Sequence, residues 1–226
     1  MVLTYKQTVA KMTTGTQAIA HDLAIKAYPS NHSYGIIVKH LSPLQRCIDL
    51  INADGNCMFR AVSKELLGTD RYHFEVRTLV VRFMESNPNY FSEILVNYHS
   101  RSLKEHTLQI KTDHVWGTAV ELQAMACLYQ VPIKVLAYYT EVPNYRWNTY
   151  IPQTDLSKFE DPLYPAMVKG RAPPGYHVEL YYHEGCHYDR IAHQIQGKSS
   201  VVLPNPLVFD HAALLSNSKD NPVHLC

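Results

Sequence analysis

The sequence of 226 residues contains no apolar run that approaches the ~18 residues needed to span a bilayer. Its first 20 residues mix threonine, lysine and glutamine, and they lack the apolar segment of a secretory signal. Neither charge is in excess, because 21 basic residues face 20 acidic ones and leave a net charge of +1. These absences predict no membrane span, no signal peptide and no general electrostatic affinity for nucleic acid, which a basic stripe would supply.

Cysteine is also scarce, with five residues at positions 47, 57, 127, 186 and 226. Their number is odd, they are widely scattered, and no two form a C-x-x-C pair. This pattern argues against a disulfide framework and against a zinc site. The simplest expectation is therefore a reducing compartment, the cytoplasm or the nucleus.

Charged residues make up 18% of the chain, which is below the ~25% of an average globular protein. Hydrophobic residues make up 46%, an ordinary share, so the chain can bury a sizeable core. The 16 tyrosines outnumber the 6 phenylalanines. Surfaces that are rich in tyrosine and poor in charge often bind other proteins, because the ring buries area while the hydroxyl stays solvated.

The composition divides the chain into three parts. Residues 1–43 are rich in threonine, serine and histidine, with one short helix predicted over 16–27, and we interpret them as an N-terminal extension. Residues 44–192 carry the periodic apolar patterns of one domain. Residues 193–226 are rich in serine, asparagine and proline and are interpreted as a C-terminal tail.

Within the predicted domain, helices dominate the first half and strands the second, which is the order of an α+β or three-layer fold. The apolar spacing predicts helices over 59–66, 74–86 and 90–98, and a Thr118–Glu121 capping box predicts the start of another. Strands are predicted over 46–52, 131–139, 146–151, 177–182 and 187–191.

Cys57 is the most notable candidate for chemistry. It follows the tight turn Asp54–Gly55–Asn56 and opens an amphipathic helix. The unpaired amides and the dipole of a helix N-terminus favour a thiolate over a thiol. Gly55 lets the backbone turn closely, so that amides of residues 54–57 can point at the place where an oxyanion would form.

A thiolate nucleophile needs an imidazole, and the imidazole needs an orienting group. His187 and Asp189 point to the same face of a strand, so the carboxylate can approach the ring. Asp54 is a second carboxylate, close to Cys57 in sequence. Spacing alone does not make this arrangement specific, because a lone cysteine is more often a buried apolar residue and an Asp before Gly-Asn is usually a turn residue.

Three blocks in this order resemble the ovarian-tumour (OTU) family of cysteine proteases. They are residues 54–62 (D-G-N-C-M-F-R-A-V), 116–124 (W-G-T-A-V-E-L-Q-A) and 184–189 (E-G-C-H-Y-D). The first block is highly specific, and the resemblance runs from about residue 44 to residue 191. It implies a papain-like fold in which a small mixed β-sheet is packed between helices.

The resemblance also implies site residues and their roles. Cys57 corresponds to the nucleophile, His187 to the general base and Asp189 to the group that orients the histidine. Asp54 has two roles open to it: it orients His187 in place of Asp189, or it shapes the cysteine loop and adds its amide to that of Cys57 at the oxyanion. Gly55 belongs to that loop, and Asn56 is a weaker candidate for holding its turn.

Four further residues of the matching blocks have expected positions or roles, and two of the four have two interpretations each. Trp116 lines the groove for the diglycine tail of ubiquitin or packs against the catalytic helix. Tyr188 walls the substrate channel or lies in the core, and alternation turns it away from His187. Glu121 is expected to cap a helix, and Cys186 to be a packing residue.

The function that the resemblance implies is the hydrolysis of isopeptide bonds at the C-terminus of ubiquitin, without a metal or organic cofactor. The expected partners are ubiquitin, polyubiquitin chains and ubiquitinated proteins, and a monomer is expected. Two alternatives stay open: a catalytically silent OTU fold that only binds ubiquitin, and a protease that acts on another ubiquitin-like modifier.

Overall fold

The computed structural model describes residues 32–98, 102–139, 144–154, 156, 159–161, 163, 172–183 and 185–193. The helix predicted over 16–27 and nearly all of the predicted tail lie outside these residues. Among the described residues, no helix combines the length and the apolarity needed to cross a membrane.

A small mixed sheet of five strands forms the centre of the fold. The strands are β1 (Arg46–Asp49), β2 (Ile133–Tyr139), β3 (Asn144–Tyr150), β4 (Val178–His183) and β5 (His187–His193). Their order in the sheet is β1-β5-β4-β2-β3, with β2 and β4 parallel and the other neighbours antiparallel. All five strands were predicted from the sequence, and the mixed sheet confirms the expected α+β class.

Six α-helices accompany the sheet within the described part of the chain. They are α1 (His32–Leu41), α2 (Cys57–Leu67), α3 (His73–Ser86), α4 (Pro88–Tyr98), α5 (Leu103–Ile110) and α6 (Ala119–Tyr129). The predicted stop of α2 is present, because Gly68 takes the left-handed conformation with φ 74°. Helices α1 and α5 were not predicted from the sequence, although α5 begins with a complete capping box of Ser102 and Glu105.

The alternation of β2 distributes the core between the two faces of the sheet. Ile133 and Val135 belong to the large apolar cluster that α2, α3 and α6 form on one face. Leu136 points the other way and belongs to a smaller cluster with Ile37 and Leu41 of α1. The sheet is therefore packed between helices, as predicted.

Helix α1 changes the extent of the folded unit. It lies ahead of residue 44, where the sequence predicted the domain to begin, yet Ile37 and Leu41 are both 0% exposed against the sheet. These two side chains of the predicted extension are therefore part of the packing around the sheet. The composition did not indicate this, because the apolar stripe of α1 is short and lies among polar residues.

Candidate active site

Cys57 is the first residue of α2, as the sequence predicted, and its side chain is buried. The turn before it depends on Gly55, whose φ of +83° lies in the left-handed region. A Cβ at this position would lie 2.0 Å from the carbonyl oxygen of His114, so the loop also needs glycine for space. The sulfur is thus fixed at the positive end of an 11-residue helix.

Asp54 shapes the cysteine loop through its own side chain. One carboxylate oxygen accepts a hydrogen bond from the Asn56 amide at 3.0 Å, and the other accepts from Nε and Nη2 of Arg60 at 2.9 and 2.7 Å. Burial alone would raise the pKa of Asp54, but the hydrogen bonds from Arg60 and Asn56 lower it below its usual value. The carboxylate is therefore engaged with α2 and with its own turn.

The second predicted carboxylate, Asp189, contacts His187. The Nε2 atom of His187 lies 3.1 Å from Oδ1 of Asp189, and the same oxygen accepts a hydrogen bond from the Ile51 amide at 2.8 Å. The Cys57 side chain lies close enough to His187 to influence the pKa of the imidazole. Because Nε2 faces the carboxylate, Nδ1 is the ring nitrogen that can face the sulfur.

These contacts set the charge of the histidine and the aspartate. Burial alone would lower the pKa of His187, but its hydrogen bonds to Asp189 and Cys57, with the negative charges of both, raise it to about 10. Burial alone would raise the pKa of Asp189, but hydrogen bonds from His183 and His187 outweigh it and hold the pKa well below its usual range. Near neutral pH the site therefore favours an imidazolium beside a carboxylate.

His183 is a second imidazole on the same carboxylate, and its contact was not predicted from the sequence. Its Nε2 atom lies 3.2 Å from Oδ2 of Asp189. The strand register pairs His183 with His187 directly, since only a short turn joins β4 to β5. The sequence does contain an indication of this contact. Two histidines flank a hairpin turn, and residues in such positions lie opposite each other.

Among the described residues, one group of side chains offers ligand atoms close enough for a metal ion. His183, His187 and Asp189 bring one ligand atom each to within 4.8 Å of one another. Their contacts of 3.1 and 3.2 Å are those of hydrogen bonds, and a metal would have to displace the His187 proton. The arrangement is therefore explained by the hydrogen bonds alone.

Arg77 is another residue of the site that the sequence analysis missed. It is 0% exposed on α3 and donates hydrogen bonds to Oδ1 of Asn56 at 2.6 Å and to the carbonyl oxygens of Val115 at 2.8 Å and Ile110 at 2.9 Å. Its guanidinium lies 4.1 Å from the centre of the Phe59 ring. Burial lowers the pKa of Arg77 to about 10. The only indication in the sequence that Arg77 is buried beside the cysteine loop is its position within the apolar stripe of a predicted helix.

A groove of about 480 Å³ opens beside Cys57. Trp116 lines this groove and is 59% exposed. Of the two positions considered for it, beside a groove or packed against α2, it occupies the first. Tyr188 lies on the face of β5 opposite His187, where it pairs with Tyr182 and lines the same groove. Cys186 was expected to be a packing residue, but it also lines the groove.

Glu121 has the structural role that was expected of it. Its Oε2 atom accepts hydrogen bonds from the amide and the hydroxyl of Thr118 at 2.7 and 2.8 Å, which completes the capping box of α6. Its Oε1 atom lies 2.6 Å from Nε2 of His106. The buried carboxylate thus fixes the segment that carries Trp116 beside the groove.

Residues 52–169 match the model of the OTU-like cysteine protease family. The chain belongs to the OTU family. The match ends before β4 and β5, so His187 and Asp189 of this OTU domain lie beyond it. Both residues lie on β5, which is placed between β1 and β4 in the sheet.

Curated relatives of the OTU domain are much longer than the chain. Ovarian tumor domain-containing deubiquitinating enzyme 6 of Arabidopsis thaliana is 30% identical over 138 residues, 61% of this chain and 22% of that protein. OTU domain-containing protein 5 of Rattus norvegicus is 32% identical over 97 residues, 43% of this chain and 16% of that protein. The chain therefore spans about a fifth of the length of such relatives.

Solved structures show the same fold. The OTU domain of OTUD1 has a TM-score of 0.52 at 22% identity and covers 68% of this chain and 90% of that one. An OTU deubiquitinase from Wolbachia pipientis wMel bound to ubiquitin has a TM-score of 0.50 at 18% identity and covers 67% of this chain and 98% of that one. At these identities the similarity concerns the fold of the OTU domain.

Proposed function

We propose that this OTU domain is a thiol-dependent deubiquitinase that hydrolyses isopeptide bonds at the C-terminus of ubiquitin. One observation carries the proposal: Cys57, at a helix N-terminus beside an open groove, lies close enough to His187 to influence its pKa, and the His187 ring contacts Asp189. The Arabidopsis thaliana relative, which is named as a deubiquitinating enzyme, and the Wolbachia deubiquitinase bound to ubiquitin support ubiquitin as the substrate protein.

The reaction begins with the pair of Cys57 thiolate and His187 imidazolium. The sulfur attacks the carbonyl carbon of the last ubiquitin glycine, forming a C–S bond and an oxyanion. When this intermediate collapses, the C–N bond breaks and the His187 proton passes to the lysine amine. His187 then takes a proton from water, the hydroxide attacks the thioester, and Cys57 leaves as a thiolate with a free ubiquitin carboxylate as the product.

Backbone amides of the cysteine loop receive the oxyanion. The Cys57 amide belongs to the first turn of α2, where amides have no acceptor within the helix. The Asn56 amide is excluded, because it already donates to Asp54 at 3.0 Å. We therefore assign the oxyanion to the amides of Cys57 and Asp54, with the Asp54 carboxylate holding the turn and Asp189 orienting His187.

The groove fits a peptide that lacks side chains next to the scissile bond. Aromatic rings of Trp116, Tyr182 and Tyr188 wall it. Gly117 lies at its surface, and a Cβ there would lie 2.7 Å from the sulfur of Met58, which lines the groove beside it, so glycine keeps the backbone close to this side chain. Such a channel selects two consecutive glycines by excluding bulkier residues.

Covalent capture by ubiquitin-propargylamide tests the proposal, with hydrolysis of a fluorogenic ubiquitin substrate as the second readout. We expect the wild-type chain to react and Cys57→Ala to lose both capture and turnover while it keeps its affinity for ubiquitin. Cys47→Ala is the matched control, because Cys47 lies on β1, away from the residues that line the groove, and this variant should react like wild type.

Other outcomes point to the alternative functions. A wild-type chain that binds ubiquitin but is never captured would be a ubiquitin-binding module, and the proposal would be wrong. Capture by the propargylamide of another ubiquitin-like modifier, without capture by the ubiquitin probe, would assign the enzyme to that modifier instead.

A further inference from the structure

Two imidazole rings share the carboxylate of Asp189. His187 contacts Oδ1 at 3.1 Å, and His183 contacts Oδ2 at 3.2 Å. Oδ1 also accepts the Ile51 amide, so the carboxylate is held from three directions by two strands and by the segment after β1. One of these three contacts, that of His183, has no place in the reaction proposed above.

The ring of His183 is itself fixed in place. It stacks on Tyr181 with centroids 5.1 Å apart and an angle of 12° between the planes, and it meets the edge of His187 at 5.0 Å. Tyr181 is fully buried, and His183 is buried with it. The ring therefore has little freedom to turn its Nε2 atom away from Asp189.

We propose that His183 is a positioning residue of the catalytic triad: by donating to Oδ2 it holds Oδ1 of Asp189 toward His187. Asp189 is 0% exposed, and a buried carboxylate that loses one of its donors is held less firmly against rotation about its Cβ–Cγ bond. Since Oδ1 is the oxygen that orients His187, such a rotation displaces the imidazole from Cys57. The inference rests on the proposed function, because it concerns the same site.

Two substitutions separate the hydrogen bond from the packing. His183→Phe keeps a flat ring against Tyr181 and removes the donor, whereas His183→Gln places an amide donor near the position of Nε2. We expect His183→Phe to lower kcat about 10-fold or more without raising KM, because the hydrogen bond to a charged group acts through the triad and not through substrate contact. His183→Gln should recover most of the lost kcat.

Alkylation of Cys57 by iodoacetamide near pH 7 is the readout that does not need ubiquitin. A displaced His187 leaves fewer thiolates paired with imidazolium, so His183→Phe should react more slowly than wild type and His183→Gln close to it. If wild type fails to cleave ubiquitin substrates, the proposed function fails, but these alkylation rates still test His183. If His183→Phe does not fold, His183→Asn replaces it, because its amide is too short to reach Asp189.

His106→Phe is the matched control, since it also removes a buried imidazole from a buried carboxylate. The His106 and His183 side chains are both 5% exposed, and their partners Glu121 and Asp189 are both 0% exposed. We expect this control to lower Tm without changing the alkylation rate. The inference is overturned if His183→Phe alters Tm alone, or if His183→Gln is folded and as slow as His183→Phe.

Discussion

Asp54 and Asp189 differ in the groups that they contact, and we therefore expect them to have different roles in the site. Asp54 faces the Arg60 guanidinium and the Asn56 amide, whereas Asp189 faces His187. Asp189→Asn should therefore lower kcat by about 10³-fold or more, because an amide no longer holds the imidazolium. Asp54→Asn should lower kcat much less and reduce Tm, because it weakens the ion pair that supports the loop. Steady-state hydrolysis of a fluorogenic ubiquitin substrate measures both.

The pH dependence of kcat/KM in the same two variants distinguishes an aspartate that orients His187 from one that supports the cysteine loop. The hydrogen bond to Asp189 raises the pKa of His187, so the imidazolium is lost only as pH rises toward about 10. Asp189→Asn removes that contribution, and the alkaline limb of kcat/KM should then move to lower pH. Asp54→Asn should leave this limb in place, and a shift there equal to that of Asp189→Asn would assign the orienting role to Asp54.

The residues that sequence could identify are those that belong to a local pattern. Cys57 stands in a specific motif, and His187 and Asp189 are related by strand alternation. The choice between Asp54 and Asp189 could not be made, because it depends on contacts between segments far apart in the chain. His183 and Arg77 were missed for the same reason: each acts through partners on another element, and neither belongs to a motif.

At the scale of elements, the loop before α2 determines where the sulfur of Cys57 lies. Gly55→Ala combines a left-handed φ with a Cβ only 2.0 Å from the His114 carbonyl oxygen. It should cost at least about 3 kcal/mol and slow alkylation of Cys57, because the loop must move away from the 112–115 segment. Urea unfolding and iodoacetamide kinetics measure the two effects.

Gly175→Ala is the matched control for this loop. Gly175 has a similar φ of +79°, but nothing lies within 4 Å of an added Cβ. It should cost only about 1–2 kcal/mol from the backbone conformation and leave the reactivity of Cys57 unchanged. Equal losses of stability in the two variants would show that the close approach to His114 does not constrain the loop.

Elements with a long apolar period were predictable, and short amphipathic ones were not. Helix α3 and strand β2 follow their patterns closely, since 74–86 and 131–139 were expected and His73–Ser86 and Ile133–Tyr139 are present. Helix α5 has only eight residues and a weak stripe, although its capping box was readable. Over such short lengths, helix propensity and apolar periodicity carry little information, so tertiary packing decides whether a helix forms.

At the scale of the whole molecule, α1 connects to the active site through the sheet. Its His40 ring lies 5.2 Å from Tyr145 on β3, and Tyr145 lies 6.2 Å from Tyr181 on β4. Tyr181 in turn stacks on His183, which contacts the carboxylate of Asp189. The face of the sheet that α1 covers thus contacts Asp189, the partner of His187, through Tyr181 and His183.

The burial of α1 leads to a prediction about the domain as a unit. Ile37 and Leu41 are 0% exposed and pack with Tyr181 and Leu136, whereas the neighbouring Ile36 is 36% exposed. Ile37→Ala and Leu41→Ala should each cost about 2–5 kcal/mol of unfolding free energy, while Ile36→Ala should cost much less. Urea unfolding of the three variants measures the difference. If all three are equal, α1 is not part of the cooperative unit, and the domain begins near residue 44 after all.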